Sequence, residues 1–338
     1  MSIDISDGIE SGSVDITVLT TNSVISTLLT NEKFGGKVIQ PQSNGSKLFG
    51  EHGLAMLFEI RKNGESKKIL LDTGGPRGSA IENAAAMSID FNEIDKFVLS
   101  HGHVDHYGGM MEVFPKLREG IDVVISPSAY EQNMILIPKE ERKFYTPEEL
   151  SENYRDLRKQ DAFLFELKLP PFKKALVDKY VGEKNFNLIE PTAPEILLNG
   201  MAISGEIELF DRNEVSNGFY LMEGRKDFLE NTFRDELSIY LNIKGKGLAI
   251  ITGCGHAGIV NTIKHAQKIT GIDDVYAIIG GFHKEWESPE DVKKAVDFIQ
   301  NLNPEITCGM HCTGFEFNRQ MADHPSHAFG ISGTIFHL

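Results

Sequence analysis

The chain has 338 residues, 41% of them hydrophobic, enough for one large domain with insertions or for two domains. Its 34 basic residues are outnumbered by 49 acidic ones, a net charge of −15 without any visible basic cluster, which argues against a nucleic-acid partner. No apolar run reaches membrane-spanning length, no basic stretch precedes an apolar one at the N-terminus, and the three cysteines make no disulfide framework; the expectation is a cytoplasmic protein without a membrane partner.

Residues 1–13 are polar and rich in Gly, Ser and Asp, and read as a loose leader. Asp15–Thr20 is a first strand, with β-branched residues at alternate positions. Residues 31–47 read as a loop. Glu51-His52-Gly53 then precedes a second strand over Leu54–Ile60, and Lys62-Asn63-Gly64-Glu65 is a hairpin turn into Lys68–Leu71. That strand ends in Asp72-Thr73-Gly74. Residues 78–87 make a short helix, and Lys96–Leu99 a short buried strand.

The next stretch is Ser100-His101-Gly102-His103-Val104-Asp105-His106-Tyr107-Gly108-Gly109. Three histidines and one aspartate fall within six positions. Imidazole and carboxylate are good zinc ligands, and imidazole also suits iron. His101 and His103, two apart in an extended turn, can converge on one ion, while Asp105 and His106 reach a second. Glycines let the backbone pass close to both.

Asp122–Ser126 is the following strand. Residues 129–190 mix Lys, Glu, Tyr and Phe without strict period, and Thr146-Pro147-Glu148-Glu149 starts a helix with an N-cap and a proline in its first turn. A largely helical insertion at about 130–190 is expected, serving as lid, substrate wall or homodimer contact. β structure resumes at 195–207, and 211–235 reads as a polar loop region. Leu237–Ile243 and Leu248–Thr252 are strands.

Three motifs close the chain, each at the exit of a strand, where α/β sites are usually built. They are Thr252-Gly253-Cys254-Gly255-His256, Gly280-Gly281-Phe282-His283 and Gly309-Met310-His311-Cys312-Thr313-Gly314. No histidine occurs between His106 and His256, so any further imidazole ligand after His106 comes from this half. Between the second and third motifs lies a helix capped by Ser288, with Pro289 at its first position and Val292, Ala295, Val296 and Ile299 on its buried face.

The His-x-His-x-Asp-His run, one β-α unit after an Asp-Thr-Gly turn, resembles the metallo-β-lactamase superfamily. Glu51-His52-Gly53-Leu54 and the three later motifs resemble its 7,8-dihydropterin-6-methyl-4-(ribofuranosyl)aminobenzene-5′-phosphate synthase-like branch, over residues 15–130 and 190–338. The resemblance implies an α/β fold of αββα sandwich type, two mixed sheets flanked by helices, as a single domain over 1–338. It implies a small-molecule substrate and two divalent metal ions, zinc by default, with iron or manganese fitting nearly as well.

With the resemblance, His101, His103 and His256 are assigned to one metal, and Asp105, His106 and His311 to the other, with a water or hydroxide between them. Cys254 stands where other members carry a bridging aspartate. Either its thiolate bridges, or it is a buried thiol and His256 alone is the ligand; the second is favoured. Asp72 orients a ligand or the water, Asp105 also positions the nucleophile, and His283 and His52 contact substrate or move a proton. The implied activity is hydrolysis of an ester, lactone, thioester or phosphodiester. The alternatives are a di-iron redox protein, against which His103 argues, and a ligand-binding or regulatory protein with a slow site.

Overall fold

A computed structural model describes residues 2–24, 34–40, 48–140, 144–224 and 227–338. The first half of the chain runs β1 (Val14–Thr20), β2 (Val38–Ile39), β3 (Ala55–Lys62), β4 (Glu65–Leu71), α1 (Ser79–Ala86), β5 (Lys96–Val98), α2 (Val104–Tyr107), α3 (Met110–Val113) and β6 (Asp122–Val124). There follow β7 (Asn133–Pro138), α4 (Pro147–Lys159), β8 (Phe163–Lys168), α5 (Lys174–Lys184) and β9 (Asn187–Ile189). The second half contains β10 (Glu195–Leu198), β11 (Met201–Ile203), β12 (Phe219–Glu223), β13 (Asp227–Glu230), β14 (Ile239–Ile243) and β15 (Gly247–Thr252). It closes with α6 (Ile259–Thr270), β16 (Val275–Gly281), α7 (Pro289–Leu302), β17 (Ile306–Met310), α8 (Gly314–Met321) and β18 (Ile335–His337).

Two mixed sheets face each other. One has the order β2-β18-β1-β3-β4-β5-β6-β9, the other β10-β11-β14-β15-β16-β17. Their inner faces alternate as a half-buried strand requires: Val14, Ile16 and Val18 of β1 meet Ile239, Leu241 and Ile243 of β14 in one apolar core. Helices cover the outer faces. α1, α3 and α5 pack on the first sheet, and α6, α7 and α8 on the second. This is the expected αββα sandwich. The strand pairs β4–β5 and β15–β16–β17 are parallel. Their carboxyl ends gather at one edge, and the loops that leave them carry the site.

Local signals behave as the sequence reading expects. Asn63 and Gly64 take positive φ, 54° and 82°, in the two-residue turn between β3 and β4. The hydroxyl of Thr146 caps α4 in a reciprocal capping box with Glu149, and that of Ser288 caps α7. No helix among the described residues is long and apolar enough to cross a membrane.

The 130–190 segment corrects the expectation of a largely helical insertion. It holds α4 and α5 but also β7, β8 and β9. β9 extends the first sheet, while β7 and β8 join β12 and β13 in a separate four-stranded sheet ordered β13-β12-β7-β8. The stretch 211–235, read as loop, supplies the β12–β13 hairpin of that small sheet. One face of the sheet packs on α4 through Met134, Leu136, Tyr220 and Phe228; the other turns Ile135 and Phe219 toward the strand exits.

Candidate metal centre

Every candidate ligand leaves a strand or enters a short turn at the shared edge. Asp72 follows β4, His101 and His103 follow β5, Cys254 and His256 follow β15, His283 follows β16 and His311 follows β17. Three of these lie in the left-handed region, Asp72 at φ 62°, His283 at 44° and His311 at 54°. Such a backbone costs on the order of 1–3 kcal/mol per residue and persists where its surroundings over-determine it. The chain passes very close to itself here. A Cβ on Gly102 would sit 2.0 Å from the carbonyl oxygen of Ala129, so only glycine lets this loop turn.

Donor atoms converge in two sets. Asp105, His106, Cys254 and His311 form one, and His101, Cys254 and His256 the other; within each, all donor atoms lie within 4.8 Å of one another. Cys254 belongs to both. His103 stands outside the second set, but its ring lies 4.5 Å from that of His101 and 4.8 Å from that of His256. Asp72 belongs to neither.

The surrounding hydrogen bonds fix which imidazole nitrogens face inward. Asp72 Oδ2 lies 2.6 Å from His106 Nδ1, and a carboxylate can only accept, so the proton sits on Nδ1. Ser100 donates its hydroxyl to Asp72 Oδ2 at 2.7 Å and therefore accepts from His101 Nδ1 at 2.9 Å. His311 Nδ1 lies 2.9 Å from Asn22 Oδ1, and His256 Nδ1 lies 3.3 Å from the Ser216 hydroxyl. In each of these rings the outer nitrogen is held by the protein, leaving an Nε2 lone pair that points into the centre.

Two of those nitrogens have no protein partner, while His106 Nε2 lies 3.1 Å from Cys254 Sγ and His311 Nε2 3.2 Å from Asp105 Oδ2. His101 Nε2 and His256 Nε2 are buried without any hydrogen bond. His106 Nε2 and His311 Nε2 face each other at 3.2 Å. Buried polar nitrogens without partners are costly, and a cation removes that cost. The imidazole, carboxylate and thiol set fits divalent metal ions of the zinc, iron or manganese type.

Electrostatics point the same way. Burial, then His106 and His103, holds His101 well below the ordinary histidine value, and burial, then His283, does the same to His256. Burial pushes His103 down to about 4. These rings are neutral, as ligands must be. Burial works against ionising Asp105, but His106 and His311 outweigh it and hold the carboxyl well below its usual range. Burial also opposes a charge on His106, yet Asp72 and Asp105 raise it. Burial pushes the Cys254 thiol well up, so only a cation would draw out its thiolate.

The structure places the remaining candidates at the rim. His52 Nε2 lies 3.5 Å from Asp105 Oδ2, and its ring 4.9 Å from that of His311. His283 packs on His256, with ring centroids 4.1 Å apart.

Several contributors escaped the sequence reading. Asn22 is one. Residues 231–237 form a strap that grips both ligand loops. Asp235 Oδ2 accepts from Gly102 N at 2.9 Å, Glu236 accepts from His256 N and Ala257 N at 2.8 and 2.7 Å, and Leu237 N donates to Ser100 O at 2.7 Å. Phe233 stacks on His256 at 4.4 Å and 5°. Burial pushes Asp235 up to about 6 and Glu236 up to about 7, against the N–H groups they accept from. Two acidic residues directly before a strand, Asp235-Glu236-Leu237, were the available signal.

Comparison with known proteins places the chain among proteins of this fold. Residues 50–174 match the family described as the metallo-beta-lactamase superfamily. The 7,8-dihydropterin-6-methyl-4-(beta-D-ribofuranosyl)-aminobenzene-5′-phosphate synthase of Methanocaldococcus jannaschii is 28% identical over 275 residues, covering 80% of this chain and 84% of the relative. An uncharacterised protein of the same organism is 25% identical over 310 residues, 88% and 98% of the two chains. The crystal structure of Tm1679, described as a metal-dependent hydrolase of the beta-lactamase superfamily, covers 96% of this chain and 99% of its own at a TM-score of 0.66 and 20% identity, a likeness of fold.

Proposed function

We propose that this chain, which matches the metallo-beta-lactamase superfamily over residues 50–174, is a hydrolase of a small molecule, acting on an ester, lactone, thioester or phosphodiester bond. The observation that carries this reading is the pair of donor sets sharing Cys254, with the Nε2 atoms of His101 and His256 buried and met by no protein group. His101, His103 and His256 would hold one divalent ion, zinc by preference, and Asp105, His106 and His311 the other, with Cys254 between. Bound there, the ions would bring a shared water to a pKa of about 7 and polarise the scissile carbonyl or phosphoryl group.

The chain's own residues do the rest. Asp105 positions the attacking water through the carboxylate that also faces His311, 3.2 Å away. Asp72 keeps His106 in one tautomer and one orientation. His52 and His283 stand on opposite sides of the centre, placed to touch the substrate or to carry a proton to the leaving group. Burial of His101, His103 and His256 keeps bulk water off the ligand rings. The acidic surface favours a small substrate over a nucleic acid. Three unpaired thiols suit a reducing, cytoplasmic setting.

The test is metal analysis of the purified protein, with turnover of an ester, lactone, thioester and phosphodiester panel before and after chelation and after reloading. Because one relative is named a synthase, the panel is also run in the condensing direction. Full turnover in the chelated protein would sink the reading, as would undiminished metal in a His101→Ala, His103→Ala double variant.

A further inference from the structure

The one tryptophan of the chain stands beside this centre. Trp286 is 49% exposed, although it stacks on Phe219 with centroids 5.8 Å apart and planes 16° apart. Phe219 stacks in turn on His103, at 5.6 Å and 16°. His283 meets the indole edge to face at 5.3 Å and 88°. A column of rings thus runs from a candidate ligand to the surface and ends in an indole half open to water.

A cleft of about 190 Å³ opens there, bounded by Phe144, Ser216, Asn217, His283, Trp286 and Glu287. An apolar cavity of about 150 Å³ can hold a benzene ring. The cleft adjoins the centre, since His283 packs on His256 and the Ser216 hydroxyl meets His256 Nδ1. Glu287 and Asp291 contribute carboxylates to its lining, and both are paired, Glu287 with Lys284 and Asp291 with Lys294, each at 2.8 Å. The nearby ammonium of Lys284 is buried and committed, 2.8 Å from Glu287 and 3.2 Å from Glu214.

We infer that this cleft seats a planar ring of the substrate, with Trp286 as its wall. The inference rests on the proposed function, because it puts the ring next to the centre where the bond would break. An indole face gains most from a flat π-system or a cation, and little from a saturated ring.

The lone tryptophan makes the test direct. Its fluorescence is followed in the protein as purified, titrated with benzamide, benzamidine and cyclohexanecarboxamide. None of these requires turnover, so failure of the hydrolase reading shows in the metal and activity assay and failure of this inference shows here. Saturable quenching is expected from benzamide and benzamidine, roughly threefold to tenfold tighter than from cyclohexanecarboxamide. Phe144→Leu keeps the probe and should weaken both aromatic ligands several-fold. Trp286→Leu, read by calorimetry, should weaken them likewise, and Trp286→Phe should restore part of the loss. Equal quenching by benzamide and cyclohexanecarboxamide overturns the inference.

Discussion

Nδ1 of His311 lies 2.9 Å from Oδ1 of Asn22, a residue 289 positions earlier in the chain. The same amide also reaches toward the carbonyl oxygen of His311 and toward His52 Nδ1, each at 3.3 Å. Asn22 therefore sets the ring orientation of His311. Asn22→Ala should weaken metal binding by roughly 10- to 100-fold while leaving the fold intact. Competition against a chromophoric chelator reads this, and an unchanged affinity would remove Asn22 from the centre.

Cys254 is the residue on which sequence left two readings open. Its sulfur lies 3.1 Å from His106 Nε2 and belongs to both donor sets. If the thiolate bridges, cobalt-substituted protein should show an intense near-ultraviolet charge-transfer band, and Cys254→Ser should lose it. A wild-type spectrum without that band would leave His256 as the ligand from this loop.

Beneath Trp286, Lys284 is an almost fully buried ammonium between Glu214 and Glu287. Lys284→Met leaves two carboxylates without their cation, and one partner lost from a buried pair costs about 3–5 kcal/mol. The triple variant Lys284→Met, Glu214→Gln, Glu287→Gln should recover most of that. Urea midpoints of the two variants distinguish the ion cluster from simple packing.

The first sheet carries a pH-dependent clasp. Asp15 on β1 pairs with Arg61 on β3 at 2.7 Å and with His337 on β18. Burial resists its charge, but Arg61 and His337 outweigh burial and lower its pKa. A depressed carboxylate stabilises the fold above the unfolded value, near 4, and that contribution fades as pH falls through the lower folded value. Its partner Arg61 is 42% exposed, so solvent screens the pair and the effect is about 1 kcal/mol or less. Asp15→Asn should unfold at lower urea than wild type at pH 7, with the gap closing toward pH 3. A gap that widens with acid would reverse the argument.

The αββα order and the ligand loops were legible because each ligand motif sits at a strand exit. The strand is an apolar run and the exit is marked by glycine, so His101, His103, His256 and His311 announce themselves locally. The small sheet was not legible. β8 reads Phe-Leu-Phe-Glu-Leu-Lys and exposes Leu164, Phe165 and Leu167, so it lacks the alternation that marks a half-buried strand. β12 and β13 were hidden by the polar residues around them. The strap over 231–237 and the role of Asn22 depend on contacts between distant segments, which no local period encodes. Trp286 belongs to no sequence motif; only the stack on Phe219 gives it a place.

The strap has a consequence for how the protein is made. Its Asp235 holds the loop after β5 and its Glu236 holds the loop after β15, so one short peptide registers both sheets at the point where donors meet. Each donor set draws on both sheets. A ribosome-bound chain that has emerged only as far as β9 has the His101–His106 run but cannot complete either set. Under the proposed function, metal uptake would be a late event of synthesis, waiting on His256 for one set and on His311 for the other, and a bound ion would serve as a seal on a nearly finished molecule.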